Sequence, residues 1–512
     1  MTQVIIFSDT SRPGLWLRSV GPYSLASHVR SKGYSAEVID FISAIPFDDF
    51  CKIVEKYCTS ETLIVGISTT WLDTERFSTD LKKTFGGEEK QEQNFYDSIK
   101  HKKYYDSFAY ALTTKNYQKF LKKIKEHAPN AKIILGGGRA IDFINDDFDH
   151  CVLGYSENQI IDLLENNVLT NKQIINHDIK AERGDYDFNL SQTIYQKNDC
   201  LLDDETLAIE IGRGCIFKCK YCSFPLIGKK KLSYIKDPKL LKEELLNNWN
   251  QHNIRRYIIS DDTFNDSLDK LIQLADIVQT LPFKPQFWCF ARLDLMTAKP
   301  EMINLFLDIG IKEVQFGVES FHLPSAKTIG KGMGPDTKKE TLYKIKEAWK
   351  DEISVKCSFI IGLPYETTDS INEHYTWLAK EDCPIDAVGI NPLFISQPDK
   401  WQSYRWNSEF DLNYEKYGYY FENPKHHFDW KKKDNTDINS FDDAYKLYKY
   451  WQEKVNKNNF VTTDAFYYCN TKKIPYSFDE LFTDQIYNAK ENYDWKTMYL
   501  DQVQEKYIRN KL

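Results

Sequence analysis

The sequence predicts an α/β protein: an open parallel-sheet domain, then a parallel barrel of six βα units, complete or partial, then a C-terminal aromatic-rich helical cap. Length is the first reason, because 512 residues exceed what one hydrophobic core organises and argue for two or three domains. The second is a repeated alternation of short β-branched runs with helix-length amphipathic stretches. The third is that this alternation stops near Ser396, beyond which Tyr and Trp cluster.

Residues 1–165 make the first unit, with strands read at VIIF, AEVIDF, TLIVGIS, KIILGGG and CVLG. In open parallel sheets ligands lie outside the carboxyl ends of the strands, near the switch in strand order. The loops Ser8 to Gly21, Ser68 to Leu72 and Gly136 to Arg139 are therefore the candidate ligand loops. The glycines from Gly136 to Gly138 suit a close backbone approach to a ligand, and equally a tight strand-to-helix turn. Residues 74–115, containing GGEEKQEQ, are longer than an ordinary connection and read as an insertion, either a lid, a partner surface or a solvated excursion.

Residues 166–204 hold few periodic apolar positions and read as a linker. From 205 to 395 the alternation resumes, with strands at LAIEIG, RYIIS, QFWCFAR, EVQFGV, VKCSFIIG and AVGIN. Chemistry in a parallel barrel sits at the strand carboxyl ends. Residues 396–512 form the cap, where Trp401, Tyr404, Trp406, Tyr414, Tyr417, Tyr419, Tyr420 and Trp430 read as a small aromatic core rather than a ligand cage.

A formal net charge of -8 gives no global attraction to nucleic acid or anionic lipid. No apolar run approaches the ~18 residues that cross a bilayer, and Met1 leads into VIIF without a basic leader. A cytoplasmic protein acting on a small-molecule or peptide substrate is expected, with neither membrane nor nucleic acid as partner. The 11 cysteines are too few and too scattered for a disulfide framework, so most read as free, buried thiols.

Three of them differ. IGRGCIFKCKYCSFP follows the first barrel strand and places Cys215, Cys219 and Cys222 at C-x3-C-x2-C spacing. Three thiolates on one short loop can ligate three irons of a 4Fe–4S cubane and leave the fourth iron open. An open position is what a catalytic metal centre keeps. Arg213, Lys218 and Lys220 add positive charge around thiolates that must stay deprotonated, and suit an acidic electron donor. The competing readings are a structural zinc site with Cys200 as fourth ligand and a set of coincidental thiols.

The C-x3-C-x-aromatic-C loop after the first strand of a βα barrel resembles the radical S-adenosylmethionine (SAM) superfamily. That resemblance covers about residues 205–395. It implies that the open iron chelates SAM, whose reductive cleavage gives a 5′-deoxyadenosyl radical, with flavodoxin or ferredoxin as electron donor. It further implies that Tyr221 packs near the adenine, Asp261 and Asp262 meet the SAM amino group, and Arg292 meets its carboxylate. Glu319 and Ser320 in FGVES match a segment contacting the ribose or methionyl part, and Gly362 in IIGLPYET a segment beside adenine. For the acidic pair, helix capping is the alternative, and for Arg292 a structural ion pair.

The first unit is similar to the Rossmann-like cobalamin-binding domains that precede many radical SAM barrels. Ser68, Thr69, Gly136 and Gly137 would then contact the nucleotide tail of cobalamin. The sequence departs from that pattern at SDTSRPGLWLRSVG, which lacks the histidine of D-x-H-x-x-G. Cobalamin held without that ligand, and loss of cobalamin, both stay open. Methyl transfer is the expected outcome with cobalamin; rearrangement, cyclisation or oxidation is expected without it. The alternatives are a tRNA methylthiotransferase, whose further amino-terminal cysteines Cys51, Cys58 and Cys151 do not reproduce, and a non-catalytic iron–sulfur or zinc protein.

Overall fold

The computed structural model describes residues 2–8, 18–42, 45–69, 117–137, 140, 146–165, 174–176, 187–201, 205–222, 235–395, 407–422, 429–433, 436–455 and 503–512. The 74–115 insertion, Trp401, Tyr404 and Trp406 lie outside the described residues.

The two six-stranded sheets are parallel and contain the expected strands, while Tyr419–Phe421 and Trp430–Lys432 pair antiparallel as a small third sheet. The first has the order β2-β1-β3-β4-β5-β6, comprising β1 (Val4–Phe7), β2 (Ala36–Ile39), β3 (Ile64–Ser68), β4 (Lys132–Gly136), β5 (His150–Leu153) and β6 (Ile174–Asn176). Its strand order switches between β1 and β3, which puts the ligand crevice at their carboxyl ends. β1, β2 and β5 are buried along their whole length, as strands covered by helices on both faces must be.

The second sheet runs in sequence order through β7 (Thr206–Ile209), β8 (Arg256–Ile259), β9 (Gln286–Ala291), β10 (Ile311–Glu319), β11 (Ser354–Ile361) and β12 (Ala387–Pro392). Among the described residues β7 and β12 are edges, so the barrel is the partial one. Along β10 to β12, Gln315, Gly317, Ser358, Ile360, Gly389 and Asn391 are accessible, while their neighbours are buried under the outer helices. Phe316, for example, stacks with Trp349 of the helix Pro335–Trp349. The accessible set therefore lines the concave face. Below it, Glu313 of β10 pairs with Lys356 of β11 at 2.5 Å and accepts from Trp288 of β9, closing the floor with a buried ion pair.

Two expectations change. The stretch 166–204 is more than a linker, since β6 extends the first sheet and residues 187–200 dock on the structure. Ser27 and Arg30 bond Ile194 O, while Thr193 N donates to Glu244. The end of the chain also leaves the cap: Tyr507 and Ile508 are buried in the first domain's core, and Tyr507 Oη accepts from Asp40 N at 2.6 Å. Of the described aromatics named above, Tyr419 and Trp430 are wholly buried in one core with the barrel, bonding Gly362 O and Leu393 O, while Tyr414, Tyr417 and Tyr420 are partly exposed.

Buried ion pairs at both ends of β7 tie the barrel to the first domain. Arg18 meets Glu205 at 2.7 Å just before the strand, and Arg213 meets Glu157 at 2.6 Å just after it. The first barrel strand is thereby fixed beside the carboxyl ends of the first sheet.

Candidate active site

The loop after β7 is held from several directions. Asp261, at the end of β8, accepts from Ile211 N at 2.9 Å and Gly212 N at 2.8 Å with one oxygen, and from Lys270 Nζ at 3.1 Å with the other. Lys220 N donates to Ile329 O, and Phe410 N of the cap donates to Lys220 O. Cys222 N closes the turn on Cys219 O at 3.1 Å.

Cys215, Cys219 and Cys222 are all partly exposed free thiols on this loop. Cys215 Sγ is 3.4 Å from Thr263 Oγ1 and accepts from Phe217 N, and Cys219 Sγ accepts from Arg292 Nη1 at 3.1 Å. Burial pushes the Cys215 thiol up, while the Thr263 and Phe217 contacts favour its thiolate. A metal ion bound there would displace a proton. Among the described residues no three His, Cys, Asp or Glu side chains gather as a single-ion site would need. Cys200 lies elsewhere, bonded to Asn198 O and packed on the first domain's core, so it does not close a zinc site. Three partly exposed thiols on one loop, with N–H donors on Cys215 and Cys219, suit a cubane, in which each sulfur binds a different iron.

Across the loop, β10 ends in a register shift between Gly317 and Glu319. Glu319 sits at φ 64° in the left-handed region, where a glutamate is uncommon. This turns its carboxylate to Tyr221 Oη, which donates at 2.8 Å, and to Lys331 Nζ at 3.4 Å. Lys331 also donates to Gly317 O. A Cβ at position 317 would meet both Glu319 Oε1 and Lys331 Nζ at 2.5 Å, so the glycine makes room for this pair. Lys331 was not among the residues singled out from sequence; its flanking glycines in IGKGMG were the available signal.

Several expected contacts are already committed within the protein. Asp261 spends both oxygens on the loop backbone and Lys270, while its neighbour Asp262 is partly exposed. Arg292 pairs with Asp294, its Nη2 to Oδ2 at 2.6 Å. Ser320 Oγ donates to the buried Glu366 at 2.8 Å. Gly362, at φ 98°, lies under the ring of Trp430, which a Cβ would meet at 2.8 Å. Arg213 turns away from the thiols and pairs with Glu157 and Glu210.

A hollow of about 240 Å³ opens at the switch point of the first sheet. Gly21, Gly66, Ser68, Gly136 and Gly137 line it, with Leu25 and Ile160 among its apolar walls and Glu157, Glu210 and Arg213 on its barrel side. Ser68, Gly136 and Gly137 thus fall where expected. Thr69 instead donates through Oγ1 to Gly136 O at 2.8 Å and is wholly buried.

Residues 209–378 match the model of the radical SAM superfamily. The chain carries a radical SAM domain. An anaerobic magnesium-protoporphyrin IX monomethyl ester cyclase of Cereibacter sphaeroides is 24% identical over 167 residues, 32% of this chain and 26% of the cyclase. A bacteriochlorophyllide d C-8(2)-methyltransferase of Chlorobaculum tepidum is 21% identical over 310 residues, 56% of this chain and 66% of the relative. The matches therefore span about a quarter and just under two thirds of these two curated relatives. Among solved structures, the radical SAM methyltransferase TsrM from Kitasatospora setae, with cobalamin and a 4Fe–4S cluster bound, superposes with TM-score 0.53 at 13% identity over 77% of this chain and 76% of that one. That likeness carries the two-domain fold: the radical SAM domain follows a Rossmann-like sheet. No helix among the described residues is long and apolar enough to cross a membrane.

Proposed function

We propose that the chain is a radical SAM enzyme whose cluster is held by Cys215, Cys219 and Cys222, and that the first-sheet hollow takes the nucleotide tail of cobalamin. The observation that carries this is the loop at the carboxyl end of β7, whose three cysteines are partly exposed and whose backbone is fixed. When bound, the cluster supplies the electron that cleaves SAM. The chain's own residues then bind and orient. Glu319 and Lys331 offer a carboxylate and an ammonium on one wall, suited to the amino or ribose hydroxyl groups and to the carboxylate of SAM. Tyr221 is held by Glu319 beside the third cysteine, and Asp262 supplies further negative charge near Cys215. Ser68, Gly136 and Gly137 border the hollow, whose apolar walls suit a flat aromatic base.

Methyl transfer to an unactivated carbon is the reaction this pairing of sites favours, with a flavodoxin or ferredoxin as cytoplasmic reductant. The test is anaerobic purification with a cobalamin supply, recording the ultraviolet–visible spectrum and 5′-deoxyadenosine formation. A brown, cobalamin-loaded protein that forms the nucleoside or methylates an acceptor, and loses both activities in Cys219→Ala, supports the reading. A colourless protein after reconstitution, or undiminished activity in that variant, refutes it.

A further inference from the structure

Arg292 is clamped in a way that leaves one terminal nitrogen for a single target. Nε and Nη2 donate to the two oxygens of Asp294 at 3.0 and 2.6 Å, and Nη2 reaches Gly330 O at 3.4 Å. The Phe217 ring, from the cysteine loop itself, lies 3.9 Å from the guanidinium carbon. Nη1 then points at Cys219 Sγ, 3.1 Å away. The residue is 5% exposed. A guanidinium keeps its charge in a protein, and here Asp294 pairs it. By contrast, Cys215 meets only neutral partners, accepting from Phe217 N and lying 3.4 Å from the Thr263 hydroxyl.

A hydrogen bond from a buried cation to a cluster thiolate stabilises the more negative, reduced cluster, and such bonds to sulfur are a main determinant of cluster potential. We propose that Arg292 is a positioning residue that raises the reduction potential of the cluster through Cys219, rather than a contact for the SAM carboxylate. The inference rests on the cluster reading above and concerns its one-electron reduction by a low-potential donor. The planar fork matters, because two N–H groups hold Asp294 while a third reaches sulfur; a lysine ammonium cannot do both in the same geometry.

The test uses the reconstituted full chain without SAM, comparing the parent with Arg292→Gln and Arg292→Lys. Iron and sulfide are assayed first, and the midpoint is then read by dithionite titration followed by electron paramagnetic resonance. The expected result is full iron in all three proteins, with the lowest midpoint in Arg292→Gln and an intermediate one in Arg292→Lys. Equal midpoints at full cluster content would overturn the proposal. So would an Arg292→Gln protein whose SAM-free midpoint is unchanged and whose SAM affinity alone falls. Should that variant lose its iron, the Arg292→Lys midpoint decides by the same criterion. A parent chain that takes up no iron would instead sink the cluster reading, and this proposal with it.

Discussion

Arg213 Nη1 stands 2.6 Å from Glu157 Oε1, joining the cysteine loop to the helix Glu157–Leu164 at the mouth of the first-sheet hollow. Arg213 precedes Cys215 by two residues, and its guanidinium also pairs with Glu210 and lies over the rings of Tyr155 and Phe188. The two candidate cofactor sites therefore share a wall.

Breaking this pair leaves a buried carboxylate uncompensated. Arg213→Met is expected to destabilise the domain contact by about 3–5 kcal/mol. Adding Glu157→Gln should recover part of that loss, because the more deeply buried of the two carboxylates left without Arg213 is then neutral. Denaturation midpoints of the parent, the single and the double variant check this; a single variant as stable as the parent would contradict it.

Gly362 combines a left-handed backbone with the ring of Trp430 against its Cα. Ala at this position adds conformational strain of about 1–3 kcal/mol and an overpacking cost of similar size. Gly418 shares a positive φ of 84° but has open space around it, so Gly418→Ala carries the strain without the clash. Thermal midpoints should fall clearly further for Gly362→Ala. Tryptophan fluorescence should report displacement of Trp430 in that variant and not in the other.

Glu366 is wholly buried, and burial pushes its carboxyl up to about 7, against the Ser320, Leu363 and Gly362 donors that favour the carboxylate. The folded chain therefore holds this proton more tightly than the unfolded chain. Stability from this group is full below the ordinary glutamate range and declines as pH rises from about 4.5 to about 7, by on the order of 3 kcal/mol in total. Glu366→Gln keeps an acceptor for the two N–H groups and an N–H for Ser320 Oγ. The variant should gain stability relative to the parent as pH rises through that window. A pH-independent difference in denaturation midpoint would show that Glu366 does not titrate there.

The strands and the cysteine loop were legible because both are local. β-branched runs at Val4, Val65, Ile133 and Val355 form strands from their own sequence, and the spacing of Cys215, Cys219 and Cys222 needs no distant residue to mark them as a candidate ligand set. Asp261 illustrates the opposite case. Its position after β8 marks it for the site, but its two oxygens are claimed by Ile211, Gly212 and Lys270. Arg213 likewise looked like a partner of the thiols until Glu157, 56 residues earlier, was seen to hold it. Tyr507 was unreadable for the same reason, since its partner Asp40 is 467 residues away.

By itself, then, the chain's order of residues determined two parallel sheets and a loop carrying three closely spaced thiols. The tertiary structure decided which charged groups are spent on one another and which remain for a ligand. That division depends on burial and on neighbours brought from remote parts of the chain, because a charge removed from water must find a partner or lose its charge, and spacing along the backbone does not say which.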